Sequence, residues 1–492
     1  MVIALSSSTL DRLPAGVTRP TYSRADLTPG IVHFGVGNFH RAHQAVYLDL
    51  LMSRGEALDW GIVGAGVRPS DETMREALAA QDFLTTLVEL GGDPAAVRVI
   101  GPMIDFIPVA DRERLVATLA APEIRIVSLT ITEGGYFLDS ATGRFDAGHP
   151  DIVADAAAPD DPRTVFGLIL KGLRRRRAAG LAPFTVMSCD NIPGNGEVTR
   201  QTLAGLARLS DAAFADWIEA AVAFPNGMVD RITPATTERE RRTLEADFGL
   251  HDNWPVFCEP FKQWVLEDRF PLGRPAFETV GVTFVDHVAP WELMKIRILN
   301  GGHAAIAYPA ALLGLHFVHD AMAHPLIAAF LDKLETSEIV PIVPPVPGVD
   351  LVAYYRLIAE RFANPKIADT IPRLCQDGSN RQPKFIVPSQ RDRLAKGLDV
   401  DGLALVSAAW CRCCAGTDDA GRPIPVDDPA AERLRPLATA ARTEPTVFLD
   451  GLGDVFGDVA TAALFRARFS RHLRDLWDRG TIAVLTEYVR GD

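Results

Sequence analysis

Lys295, Asn300 and His303 fall within the short stretch KIRILNGGH, with Glu292 just upstream and Ile296, Ile298 and Leu299 among them. An amine, an amide, an imidazole and a carboxylate in apolar company are the materials of general acid–base chemistry on a hydroxyl group. On a helix of about 100° per residue with Lys295 at zero, Glu292 falls at about 60°, His303 at about 80° and Asn300 at about 140°. Leu299 and Ile296 lie among them at about 40° and 100°, and Arg297 points away at about 200°. Burial disfavours the charged ammonium, so a lysine held there has a lowered pKa and can take a proton near neutral pH. Asn300 offers amide N–H groups to a developing alkoxide. His303 can donate to or accept from a hydroxyl, and Glu292 can pass the released proton outward. The same residues also fit a plainer reading, a lysine snorkelling from a half-buried helix that ends at Asn300-Gly301-Gly302.

Three further polar knots follow strand-like runs. SCDNIPGNG, after the run at Phe184, offers Asp190 and Asn191. The carboxyl end of a parallel strand is where ligands collect, though turn chemistry alone also favours Asp-Asn there. TITEGGY places Glu133 after its own strand, and FPNGMVDRITP offers Asp230 and Arg231, which read equally well as a structural ion pair.

The elements that must position these groups begin with the strand IVHFGVG, Ile31 to Gly37, and a helical pattern after it. Strand, glycine turn and helix in that order open a dinucleotide-binding unit. Gly35 and Gly37 let backbone approach a pyrophosphate at a helix N-terminus. The third fingerprint position is His40 rather than glycine, which predicts a looser turn with His40 and Arg41 near the phosphates, or a turn that is only structural. Gly35, Gly37, Asn38, Phe39 and Arg41 are the candidates for cofactor contact at this turn. After the second strand, WGIVGAGV, the chain reads Arg68-Pro69-Ser70-Asp71. Asp71 can accept from an adenosine ribose and so favour NAD, Arg68 can meet the 2′-phosphate of NADP, and Asp71 also suits a helix's first turn. Strand-like runs at Val97, Ile124 and Phe184 alternate with helical patterns, which predicts an α/β domain with a mostly parallel, Rossmann-like sheet covered by helices on both faces.

Near residue 288 the pattern changes to almost continuous helix, with breaks expected at Val343–Asp350 and Gly378–Phe385. The predicted domains are 1–286, dinucleotide-binding, and 287–455, mostly helical and substrate-binding, with 456–492 helical and returning to the first. The length of 492 residues suits two domains. Hydrophobic residues at 48% and charged residues at 23% are globular proportions. A net charge of −13 argues against a nucleic-acid partner. The run Arg174–Arg177 closes a helical pattern, where cations suit the helix end, and is otherwise an anion site. The N-terminus lacks a secretory pattern and no run is long enough for a membrane span. Six cysteines form no disulfide framework or zinc pattern, so a reducing cytoplasm is expected.

GVGNFHRAHQ, TITEGGY, SCDNIPGNG, MVDRITP and KIRILNGGH, in this order, resemble the polyol-specific long-chain dehydrogenases, the mannitol dehydrogenase family, over nearly the whole chain. The resemblance implies NAD(P)-linked, zinc-independent oxidation of a secondary alcohol in a cleft between a Rossmann-like and a helical domain. Mannitol oxidised at C2 to fructose is the expected reaction; fructuronate reduction and arabinitol or sorbitol oxidation are the alternatives. It implies Lys295 as general base, Asn191 and Asn300 on the alkoxide, His303 orienting the substrate and Glu292 gating proton release. Glu133 and Asp230 line the site. Arg373, and Arg381 where the family is expected to hold a lysine, grip distal hydroxyls. Ser70-Asp71 supplies one acid where NAD-preferring members tend to hold two, so NAD is favoured with NADP tolerance open. Arg297 resembles the uronate-reducing branch at its position. The expected partners are a sugar alcohol or ketose, with the chain a monomer or weak oligomer.

Overall fold

The computed structural model describes residues 2–139 and 142–491, and the chain divides into two compact units, Met1–Ala289 and Pro290–Asp492.

At the centre of the first unit is a sheet of five strands, β1 (Pro29–Phe34), β2 (Gly61–Ala65), β3 (Met103–Phe106), β4 (Ile126–Leu129) and β5 (Thr185–Ser188). They lie in the order β3-β2-β1-β4-β5, every pair parallel. This is the doubly wound order, with its switch point between β1 and β4. Its strands are apolar nearly throughout because both faces are covered. Val32, Phe34, Val63, Ala65, Val127, Leu129 and Val186 feed one core, while Ile31, Ile62, Ile126 and Met187 feed the other. The alternation is the two-residue period of a strand serving two cores at once. After β1 come α1 (Asn38–Ala42) and α2 (Gln44–Met52), separated at His43, so the single helix expected there is two. α3 (Pro69–Ala79) follows β2, and α4 (Arg112–Ala120), α5 (Val165–Ala178) and α6 (Asn195–Ser210) complete the cover. The strand expected at Val97, Ala96–Ile100, belongs to a separate four-stranded sheet, antiparallel to Thr85–Glu89.

The arginine run ends α5 as a structural terminus. Arg175 pairs with Glu113 at 2.7 Å, Arg176 is buried and donates to the carbonyls of Ala121, Ile124 and Ala182, and Arg177 lies over Trp217.

The second unit is helical. α7 runs as Ala289–Met294, a π turn Lys295–Asn300 and Gly301–Leu312. α8 (Pro325–Leu334) also continues into a π turn, Glu335–Ile339. Then come α9 (Leu351–Phe362), α10 (Ile371–Cys375), α11 (Gly378–Phe385), α12 (Val387–Ala395), α13 (Asp401–Cys414) and α14 (Ala463–Arg490). Gly378–Phe385 was expected to break the helical pattern but forms α11. Ser379 donates to Asp428 through backbone and hydroxyl, and Gly378 packs so tightly on Trp410 that a Cβ would sit 2.5 Å from its Nε1. Tertiary anchoring overrides the weak local propensity.

Residues 456–492, expected to return to the first domain, lie in the second unit. Phe465 and Phe469 of α14 join Phe448 and Phe456 in an aromatic cluster, and Arg471 and His472 reach Asp401 at 2.6 and 2.9 Å. All six cysteines are free thiols. Among the described residues no helix is long and apolar enough to cross a membrane, and no three His, Cys, Asp or Glu side chains are grouped as metal ligands.

Candidate active site

In the first unit the functional loops leave the carboxyl ends of three neighbouring strands, β1, β4 and β5. Gly35 ends β1 with φ +87°, and a Cβ there would lie 1.9 Å from the Thr130 carbonyl oxygen at the end of β4. Only glycine fits where the two chains cross. At Gly37 the reason differs. A Cβ would meet nothing nearer than the Gly35 carbonyl at 3.9 Å, so the protein leaves space above this backbone. That space lies at the start of α1 and at the switch point of the sheet, the place where dinucleotide-binding folds seat a pyrophosphate.

The residues after the turn face inward more than expected. Arg41 is buried and donates to the Trp254 carbonyl at 2.5 Å and to Asn38 Oδ1 at 2.9 Å. Asn38 Nδ2 donates to the Pro234 carbonyl and Thr236 Oγ1, tying the turn to the loop that follows Asp230. His40 is buried against His33, ring centroids 3.4 Å apart, and burial holds its pKa well below the usual value. These side chains brace the turn. Phe39 stacks on His43 at 4.9 Å. Beyond β2, Asp71 Oδ2 accepts from the backbone N–H of Val67 and Arg68 at 2.9 and 2.8 Å, so Asp71 does cap the start of α3. Its other oxygen is not used in that cap, and Arg68 beside it is exposed.

Glu133 and Asn191 are exposed on the loops after β4 and β5, and Asp230 is buried at the end of the strand Gly227–Asp230. Asp190 joins the two loops. Its carboxylate accepts from the backbone N–H of Ile131 and Thr132, each at 2.9 Å, and from the Tyr136 hydroxyl at 2.7 Å. Burial pushes its pKa up, while the Tyr136 hydroxyl and the two N–H groups pull it back. Arg231 is the structural residue its sequence allowed, donating to the carbonyls of Glu259 and Ala42 and paired with Glu89.

In the second unit Lys295 is 5% exposed and opens the π turn. The helix does not end at the glycines; it runs through Gly301 and Gly302 to Leu312. The i→i+5 bonding of a π turn adds about one residue per turn. Asn300, five residues after Lys295, therefore comes back over it more closely than the regular wheel allows. The buried Oδ1 of Asn300 has no hydrogen-bond partner among the described residues. Glu292 lies on the turn before Lys295.

His303 stacks on Phe362 at 3.9 Å, and burial pushes its pKa down to about 3, so its imidazole is neutral in ordinary buffers. Asp369 opposes that shift, and the charges of Arg373, Arg361 and Arg381 add to it. Two of these residues, Arg361 and Asp369, were not singled out from the sequence. Asp369 accepts from Arg373 Nε at 2.6 Å and pairs with its guanidinium, a contact whose i,i+4 spacing is visible in sequence. Arg361 carries no such signal. Arg381 donates to the Leu374 carbonyl at 2.8 Å. Arg297 points away, buried, donating to Ser389 Oγ and Asp392 at 2.7 Å each.

Two family descriptions match this chain: mannitol dehydrogenase Rossmann domain over residues 29–279, and mannitol dehydrogenase C-terminal domain over residues 287–477. The chain is similar to the mannitol 2-dehydrogenase of Cereibacter sphaeroides, 60% identical over 476 residues, which is 96% of this chain and 99% of that one. Its structure is similar to that of Pseudomonas fluorescens mannitol 2-dehydrogenase in ternary complex with NAD and D-mannitol. The identity is 46%, the TM-score 0.88, and both chains are covered in full. A substrate-free D-sorbitol dehydrogenase is similar at 35% identity and TM-score 0.90, over 98% of this chain and 100% of that one.

Proposed function

The chain belongs to the mannitol dehydrogenase family, and on that premise we propose that it is an NAD-dependent polyol dehydrogenase, oxidising D-mannitol at C2 to fructose and catalysing the reverse reduction. The observation that carries the proposal is Lys295, an amine buried to 5% exposure at the head of a π turn that ends at Asn300.

Burial disfavours the ammonium form of an amine, and in this reading Lys295 serves as the base. Lys295 takes the proton of the C2 hydroxyl. Asn300 and Asn191 donate amide N–H groups to the alkoxide oxygen, and in reduction they polarise the carbonyl. The amine and the amides supply the polarisation that a metal ion supplies in other alcohol dehydrogenases. Neutral His303 orients the hydroxyl by donating or accepting, and Glu292 passes the proton from Lys295 to solvent. Glu133, Asp230, Arg373 and Arg381 hold the remaining hydroxyls. Gly35 and Gly37 would admit the pyrophosphate, with Phe39 beside it, and the second oxygen of Asp71 would accept from the adenosine ribose, repelling a 2′-phosphate in spite of the nearby Arg68. When bound, NAD supplies the hydride acceptor. Six unpaired thiols suit a reducing cytoplasm.

Uronate reduction is disfavoured because Arg297, the position that resembles the uronate-reducing branch, is committed to Ser389 and Asp392. A steady-state panel of mannitol, arabinitol, sorbitol and fructuronate with NAD and NADP tests the reading. The highest kcat/KM is expected for mannitol with NAD; a higher value for fructuronate reduction, or for NADP, would replace the corresponding part.

A further inference from the structure

Thr132 has φ 64° and ψ 163°, a backbone conformation that residues other than glycine avoid. It is the residue before Glu133, which opens the short turn Glu133–Tyr136. Strain of this kind persists only where surrounding contacts over-determine it. Here a single carboxylate does so. Asp190, 6% exposed, takes the N–H of Ile131 and of Thr132 itself on the near side of Glu133, and the Tyr136 hydroxyl on the far side.

Asp190 is itself fixed from β5. Its N–H donates to Ser188 Oγ at 3.2 Å, that hydroxyl lies 2.6 Å from the Tyr136 hydroxyl, and Asn195 Nδ2 donates to the Asp190 carbonyl at 3.1 Å. The next residue in the chain is Asn191. One buried side chain therefore sets the backbone of two loops, one bearing Glu133 and one bearing Asn191, on neighbouring parallel strands.

We propose that Asp190 is a positioning residue for the reaction: it clamps the strained Thr132 turn to the loop after β5 and so fixes the separation of Glu133 from Asn191. The inference rests on the reading above that these two residues serve the alcohol. The carboxylate of Asp190 is taken up by Ile131, Thr132 and Tyr136, so it acts through the loops. A turn needed only to connect β4 to the rest of the fold gains nothing from Thr132, because glycine would adopt the same backbone without strain.

The test compares Asp190→Asn, Thr132→Gly and the double variant, measuring kcat, KM, NADH binding by fluorescence and thermal midpoint. An asparagine turns one acceptor into a donor facing the backbone N–H groups, so Asp190→Asn should lower kcat by about 10- to 100-fold and leave NADH affinity within about twofold. Thr132→Gly removes the strain and should raise the midpoint. In the double variant the midpoint should recover while kcat stays low, because the fold is restored and the clamp is not. The proposal is overturned if Asp190→Asn keeps wild-type kcat, or if kcat returns with the midpoint in the double variant. Should Asp190→Asn not fold, Tyr136→Phe removes one donor only and should lower kcat several-fold, an unchanged kcat again overturning the idea. Wild type is assayed alongside on every polyol of the panel, so failure of the functional reading appears as an inactive wild type and not as an insensitive variant.

Discussion

Asn300 closes the π turn that Lys295 opens, and its amide N–H is the group that would meet the oxygen gaining charge as the alcohol loses its proton. Asn300→Ala should therefore lower kcat about 100- to 1000-fold, the cost of losing one such donor, with little change in NADH affinity by fluorescence titration. At this scale the sequence was informative about type and less so about direction. Lys295 and His303 stood out because amines and imidazoles rarely cluster beside apolar residues by chance, whereas Arg373 entered only through the resemblance to the family. The inward turn of His40, Arg41 and Asn38 was not, because a motif tells which residues sit near a turn and not which way they face. Arg361 left no signal, since its charge acts on His303 from a separate helix.

At the scale of elements, the two π turns are what a regular helical wheel cannot show. Both Lys295–Asn300 and Glu335–Ile339 widen a helix, and the two segments pack against each other. Glu335 is fully buried with neither carboxyl oxygen hydrogen-bonded, and a Cβ on Gly302, next to His303, would come within 3.1 Å of its Oε1. Burial pushes the Glu335 carboxyl well above its ordinary value of 4.5, which favours the neutral acid in the folded protein. The sign follows from linkage: below that ordinary value both states are protonated, and as pH rises above it the unfolded chain alone ionises, so stability falls. Glu335→Gln should thus raise the thermal midpoint at pH 8, with the gain shrinking as pH approaches 4; a gain independent of pH would contradict this. The edge strand β3 was also missed, because Met103–Phe106 is short and flanked by prolines. The helix α11 was missed because its glycine and proline argue locally for a break that packing on Trp410 overrules.

For the whole molecule, the change from alternating strands and helices to continuous helix predicted a boundary near 286, and the compact units divide after Ala289. What sequence periodicity did not carry was the destination of the last helix, which is decided by partners far away in the chain, Phe448, Phe456 and Asp401. The large apolar side chains left exposed, Val2, Val153, Leu209, Leu398, Leu464 and Ile482, are dispersed along the chain and do not form one run. The expectation of a monomer or weak oligomer is tested by sedimentation: a species near the monomer mass of 53.4 kDa is expected at low concentration, and a concentration-independent dimer would contradict it.

The central claim is that one buried amine, Lys295, acts as the base. The most direct measurement is kcat for mannitol oxidation by Lys295→Ala beside its NADH affinity. Removal of the base should cost at least about 100-fold in kcat with NADH binding intact. Turnover close to wild type in that variant would contradict the account.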